Sequence, residues 1–120
     1  MLHLSDSRRY WLYSGDTDMR KSFHALAALV RYKMQSNVLS GDIYVFISRR
    51  RNAIKLLRWE GDGFAIFYKR LEKGTFELPQ YDSNNNTMLI TDHELSFILK
   101  GVALLKVKYR PRYSQNDVVC

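Results

Sequence analysis

Asp42 to Leu71 reads DIYVFISRRRNAIKLLRWEGDGFAIFYKRL. Three runs within it, Asp42 to Ser48, Ala53 to Glu60 and Phe64 to Leu71, are rich in Ile, Val, Phe, Tyr and Trp. These residues suit a pleated, half-buried surface. The breaks between them, Arg49-Arg50-Arg51-Asn52 and Gly61-Asp62-Gly63, are short enough to be hairpin loops, so the stretch predicts an antiparallel three-stranded meander. Gly61 and Gly63 can take positive φ at no steric cost and Asp62 tolerates it, which makes the second loop the stronger turn signal.

Outward from this meander the pattern changes period. Arg8 to Tyr13 (RRYWLY) reads as a short strand and Ser14-Gly15-Asp16 as the turn that follows it. From Met19 the apolar residues Met19, Phe23, Leu26, Ala27, Val30 and Met34 recur at the spacing of one helical face, with Asp16, Thr17 or Asp18 available as the cap. This predicts a helix over about 18–35, ending where Gln35-Ser36-Asn37 break the pattern. On the other side, Pro79 and Asp82 to Asn86 mark a loop, Thr87 to Ile90 a further short strand, and Thr91 the cap of a helix from Asp92 to Lys100 that stops at Gly101. The expected fold is therefore α+β: an antiparallel sheet of three to five strands with one longer helix and one short one. One domain is expected over 1–105. The run Lys106 to Arg112 (KVKYRPR), with its alternating charge and proline, opens an extended basic tail, 106–120.

A chain of 120 residues should bury roughly two-thirds of the surface it exposes when unfolded, enough for a core without staples. Cys120, the single cysteine, excludes an internal disulfide and argues against a cysteine zinc site. No apolar run is long enough to span a bilayer, and Asp6, Arg8 and Arg9 stand where an export signal would be apolar, so a cytoplasmic protein without membrane contact is expected.

Catalysis needs a nucleophile, a base and a stabilising group that converge, and no such set is recognisable. His3, His24 and His93 are scattered and have no ligand spacing, so neither a metal nor another cofactor is expected. Asp16 and Asp18 fit a helix start, and Glu60 and Asp62 flank a turn. The expectation is a protein that is not an enzyme.

Charge points elsewhere. Nineteen Lys and Arg against twelve Asp and Glu leave +7, enough for long-range attraction to a polyanion. Within Ile43 to Lys73, Arg49, Arg50, Arg51, Lys55, Arg58, Lys69, Arg70 and Lys73 are interleaved with aromatics, a combination able to grip phosphate and stack on unpaired bases. Strand alternation divides the set, since Lys55, Leu57 and Trp59 share one face while Ile54, Leu56 and Arg58 share the other. The tip Arg49-Arg50-Arg51 differs from the strand residues: three adjacent like charges repel one another and add nothing to packing. The nucleic-acid-binding residues expected are Arg20, Lys21, Arg49, Arg50, Arg51, Lys55, Lys69 and Arg70, with Lys106, Lys108, Arg110 and Arg112 of the tail. If about six phosphates are neutralised, log K should fall against log salt with a slope of about −5.

The residues also carry a resemblance. Thr17-Asp18-Met19-Arg20-Lys21-Ser22-Phe23, then Leu26 and Leu29-Val30, open it. Ser40-Gly41 through Phe46, Arg51, Ile54 to Leu57, Trp59, Asp62-Gly63-Phe64, Tyr68 to Gly74, Phe76 and Pro79 continue it. Together they resemble the TnpB-type accessory proteins of the insertion-sequence sixty-six family, over roughly positions 3 to 110. The resemblance implies a small protein encoded beside a transposase in a bacterial mobile element and involved in its transposition. Such proteins are distinct from the transposase that cuts DNA and from the RNA-guided nucleases that share the TnpB name. DNA and the co-encoded transposase are the expected partners. The alternative to DNA binding is an adaptor that holds the transposase without touching DNA.

Overall fold

The computed structural model describes residues 8–80, 85–103 and 108–109. Strand β1 (Tyr10–Asp16) leads to helix α1 (Phe23–Ala28), which continues as a π-helical turn over Leu29–Lys33. The meander follows as β2 (Ile43–Ile47), β3 (Ala53–Trp59) and β4 (Phe64–Arg70). Then come β5 (Thr87–Ile90), α2 (Asp92–Lys100) and a small ribbon of β6 (Val102–Ala103) and β7 (Lys108–Tyr109). The main sheet has the order β4-β3-β2-β1-β5.

The α+β class, the meander and both helices match the sequence reading. Three local expectations are corrected. First, the sheet is mixed, because β1 and β2 run parallel with Tyr10 opposite Ile43 and Leu12 opposite Val45. Parallel neighbours need a long crossover, and residues 17–42, carrying α1, supply it. Second, Ser14-Gly15-Asp16 do not turn. They remain in β1, held by Ser14 N–H donating to Asn86 O (3.0 Å) and Ser14 Oγ to Asn85 O (2.8 Å), while the register with β2 shifts between Leu12 and Asp16.

Third, α1 starts at Phe23, not near 18, and its N-cap Ser22 makes no side-chain cap bond. The cause lies in β3, where the Lys55 ammonium donates to Met19 O (2.8 Å) and Lys21 O (2.7 Å). Those carbonyls are therefore turned toward β3 rather than along a helix axis. Asp18 caps only a tight turn, accepting from Arg20 N–H at 2.9 Å. α2 needs no correction. Thr91 and Glu94 form a reciprocal capping box, and Gly101 closes the helix in the left-handed conformation at φ 86.

Both faces of the sheet are covered. On one, Leu12, Ile43, Val45, Ile47, Ile54 and Leu56 pack with Phe76 and with Leu95 and Ile98 of α2. On the other, Tyr44, Phe46 and Leu57 pack with Leu26, Ala27, Val30 and Met34 from α1 and the residues after it. Every residue of β2 is buried, as befits a strand with neighbours on four sides. Of the expected tail, only Lys108–Tyr109 is described, as β7 paired with β6; the boundary at 105/106, with Lys106, Arg110 and Arg112, lies outside the described residues.

Candidate nucleic-acid interface

The β2–β3 hairpin places its arginines at one end of the sheet. Ser48 and Ala53 close it, with Ser48 N–H donating to Ala53 O (2.9 Å) and Ala53 N–H to Ser48 Oγ (3.1 Å). Arg51 N–H donates back to Ser48 O at 2.9 Å, so Arg49 and Arg50 form the corner of a turn. Arg51 itself has φ 60, a left-handed conformation that an L side chain adopts at a steric cost. The carbonyl of Arg51 accepts from Phe76 N–H at 2.7 Å, which ties the tip to the chain that follows β4. All three arginine side chains are exposed.

Other segments converge on this end. Thr17 N–H donates to Ile47 O (3.0 Å), bringing the end of β1 alongside, and Leu71 N–H donates to Asn52 O (2.7 Å). Arg70, exposed, pairs with Ala53 in the β3–β4 ladder. Residues 17–21, 47–53 and 70–76 thus meet at one edge of the molecule. A shallow niche with room for about one water lies beside the tip, lined by Tyr13, Ser14, Asp16, Ser48, Arg51 and Leu78 among others, where the register of β1 with β2 shifts.

The expected binding residues fall into different roles. Among the described residues no ion pair ends on Arg49, Arg50, Arg51 or Arg70. Arg20 is engaged. Its guanidinium forks onto Asp18, with Nη2 donating at 2.6 Å and Nε at 3.0 Å to Oδ2. The side-chain hydrogen bonds from Arg20, followed by the one from its backbone N–H, hold the Asp18 carboxyl down at about 2. Lys21 is half-buried, with its carbonyl bonded to Lys55.

Two of the expected residues are engaged within the fold. Lys55 is 8% exposed, bonded to two carbonyls, and lies 4.9 Å from the centre of the Tyr68 ring, so its charge is spent on the fold. Lys69 projects from the opposite face of β4 and donates to Leu99 O (3.2 Å) in the last turn of α2, where the helix carbonyls attract a cation. Of the tail, Lys108 lies in β7.

Two further cations pair at the far end of the sheet. Arg9 meets Asp42 (3.3 Å), which also accepts from Trp11 Nε1–H, and Arg58 meets Glu60 (2.5 Å). The hydrogen bond from Arg58 lowers the Glu60 carboxyl from its usual value. Arg51's special backbone escaped the sequence reading. Asn tolerates the left-handed region better than Arg, yet it is Arg51 that takes it, while the Asn52 side chain accepts from Ser48 Oγ (3.2 Å). No group of three or more His, Cys, Asp or Glu that could hold a metal ion occurs among the described residues. No helix among them is long and apolar enough to cross a membrane.

Fold and site together define a small α+β protein with an exposed cationic hairpin at one end of its sheet. The chain belongs to the IS66 Orf2-like family, whose model matches residues 8–109, as the resemblance implied. It is thus an accessory protein associated with insertion sequences. Among its relatives, the uncharacterized protein y4hO of Sinorhizobium fredii is 33% identical over 85% of this chain and 87% of its own length. The uncharacterized protein y4jC of the same organism is 27% identical over 92% and 93%. No solved structure matches.

Proposed function

We propose that this accessory protein binds DNA of its mobile element through the end of the sheet that carries Arg49, Arg50, Arg51 and Arg70. Lys21 and the tail residues Lys106, Lys108, Arg110 and Arg112 would add phosphate contacts. The main support is the placement of the three tip arginines: exposed, without an acidic partner among the described residues, and set on a hairpin anchored by Phe76. Such a group costs the fold self-repulsion and contributes no packing, whereas phosphates along a duplex would neutralise it and release counterions. Lys55 and Lys69 are outside the proposal, and Arg20 is partly cancelled by Asp18.

The test is an anisotropy titration of the element's terminal repeats against salt. The unmodified protein should show binding that weakens steeply with salt. Replacing Arg49, Arg50 and Arg51 together by Gln should make the slope of log K against log salt shallower by about 3, one unit per lost phosphate contact. An unchanged slope would remove the tip from the interface. Salt-insensitive co-purification with the transposase, without any DNA binding, would establish the adaptor role instead.

A further inference from the structure

The two edge strands of the main sheet are unequal. β5 has four residues, whereas β4 has seven, Phe64–Arg70. A short edge is a poor template for another strand and a long one is a good one. The bonds from Glu60 N–H to Gly63 O (2.8 Å) and from Leu71 N–H to Asn52 O, together with the register, fix which backbone groups β3 already uses. Gly63, Ala65, Phe67, Lys69 and Leu71 face β3, so Phe64, Ile66, Tyr68 and Arg70 present their N–H and C=O groups outward. Among the described residues no strand pairs with this edge. Of the usual protections, β4 has no proline and no register shift; its two cations, Lys69 and Arg70, stand together at its C-terminal end, while Phe67 and Tyr68 are 39% and 49% exposed.

We infer that β4 pairs antiparallel with β4 of a second copy of this chain, about a two-fold axis through Phe67, joining the two sheets into one. The sequence of the strand is self-complementary in this register. Phe64 lies opposite Arg70, Ala65 opposite Lys69, Ile66 opposite Tyr68, and Phe67 opposite itself. All four outward-facing residues therefore meet outward-facing residues, and every hydrogen bond of the new ladder is made. A slip of one residue would set outward groups against inward ones and forfeit the ladder. A slip of two would leave strand ends unpaired.

Side chains agree with the backbone. Neither cation faces a cation; Arg70 crosses the Phe64 ring, and its diagonal neighbour is Asp62 of the other copy. Ile66 and Tyr68 form apolar cross-strand pairs on the α1 face, and the two Phe67 rings meet on the α2 face. Arg70 is common to the pairing and the DNA reading, but none of Arg49, Arg50 and Arg51 takes part in the pairing, and Phe67, on which the pairing is tested, makes no proposed DNA contact.

Sedimentation equilibrium of the full chain should give a dimer mass at micromolar concentration. Phe67→Lys sets two ammonium groups on the axis while leaving the bonds of residue 67 to β3 intact, and should weaken the dimer at least tenfold. Directly opposed residues that share no hydrogen bond lie about 4.5 Å apart at Cα, within disulfide reach. In a Cys120→Ser background, Phe67→Cys should therefore cross-link to a dimer on mild oxidation, whereas Ala65→Cys, whose mate is Lys69, should not. This second measurement holds even if Phe67→Lys impairs folding. A monomer at all concentrations, a dimer indifferent to Phe67→Lys, or cross-linking as ready from position 65 as from 67 would each overturn the inference.

Discussion

Arg51 and Asp18 show how single residues divide between holding the fold and facing outward. Arg51 occupies a left-handed position that glycine would fill without strain. Arg51→Gly should raise stability by about 0.5–1 kcal/mol, the steric relief being offset in part by the freer unfolded chain. The same change should cost about one unit of salt slope in DNA binding. Urea denaturation and anisotropy on one preparation would reveal this opposition of stability and function, and a loss of stability would refute the strain. Asp18 titrates at about 2, below its ordinary 3.8, because the charged carboxylate accepts bonds from Arg20. A depressed carboxylate contributes stability that is complete above the unfolded value and is lost as pH falls toward the folded one. Melting temperature should therefore decline between about pH 4 and pH 2, and Asp18→Asn should flatten that part of the profile. The pair is exposed, so salt should shrink the effect.

At the level of elements, Lys55 ties β3 to the approach to α1. Periodicity showed that Lys55 shares a face with Leu57 and Trp59, but not that the chain at Met19 and Lys21 would lie over that face with its carbonyls turned inward. Lys55→Met keeps the aliphatic stem and removes the donor, leaving two part-buried carbonyls unsatisfied at a cost of about 1–3 kcal/mol. Thermal melting should fall accordingly, while the salt dependence of DNA binding stays unchanged; a shallower slope would return Lys55 to the interface. α2 was legible because its signals are local. Thr91, Glu94 and Gly101 act within one turn of their own backbone. The start of α1 was not, because its decisive donor lies 34 residues further along the chain.

For the whole molecule, the sheet lies between two helical layers, so neither face is spare. Leu56 packs toward α2 and Leu57 toward α1, and both are buried. Leu56→Ala and Leu57→Ala should each cost about 2–5 kcal/mol in urea denaturation. A sheet with one solvated face would spare one of the two substitutions. Burial on both sides is also why a strand region dense in cations offers so little of its surface to a partner. The hairpin stretch gives up its middle to the core and keeps only its end.

The meander, the capped second helix and the family membership follow from the chain alone, because alternation, caps and a long run of distinctive residues are local properties of sequence. The cluster of three arginines was equally plain there. Only the tertiary structure decided that β1 runs parallel to β2, that Lys55 and Lys69 bond to backbone carbonyls of distant segments, and that residues 17–21 and 70–76 gather beside the tip. Each of these depends on contacts between distant segments. The charge of a lysine is the same in either role, and which group it meets is settled by the path of the chain above it.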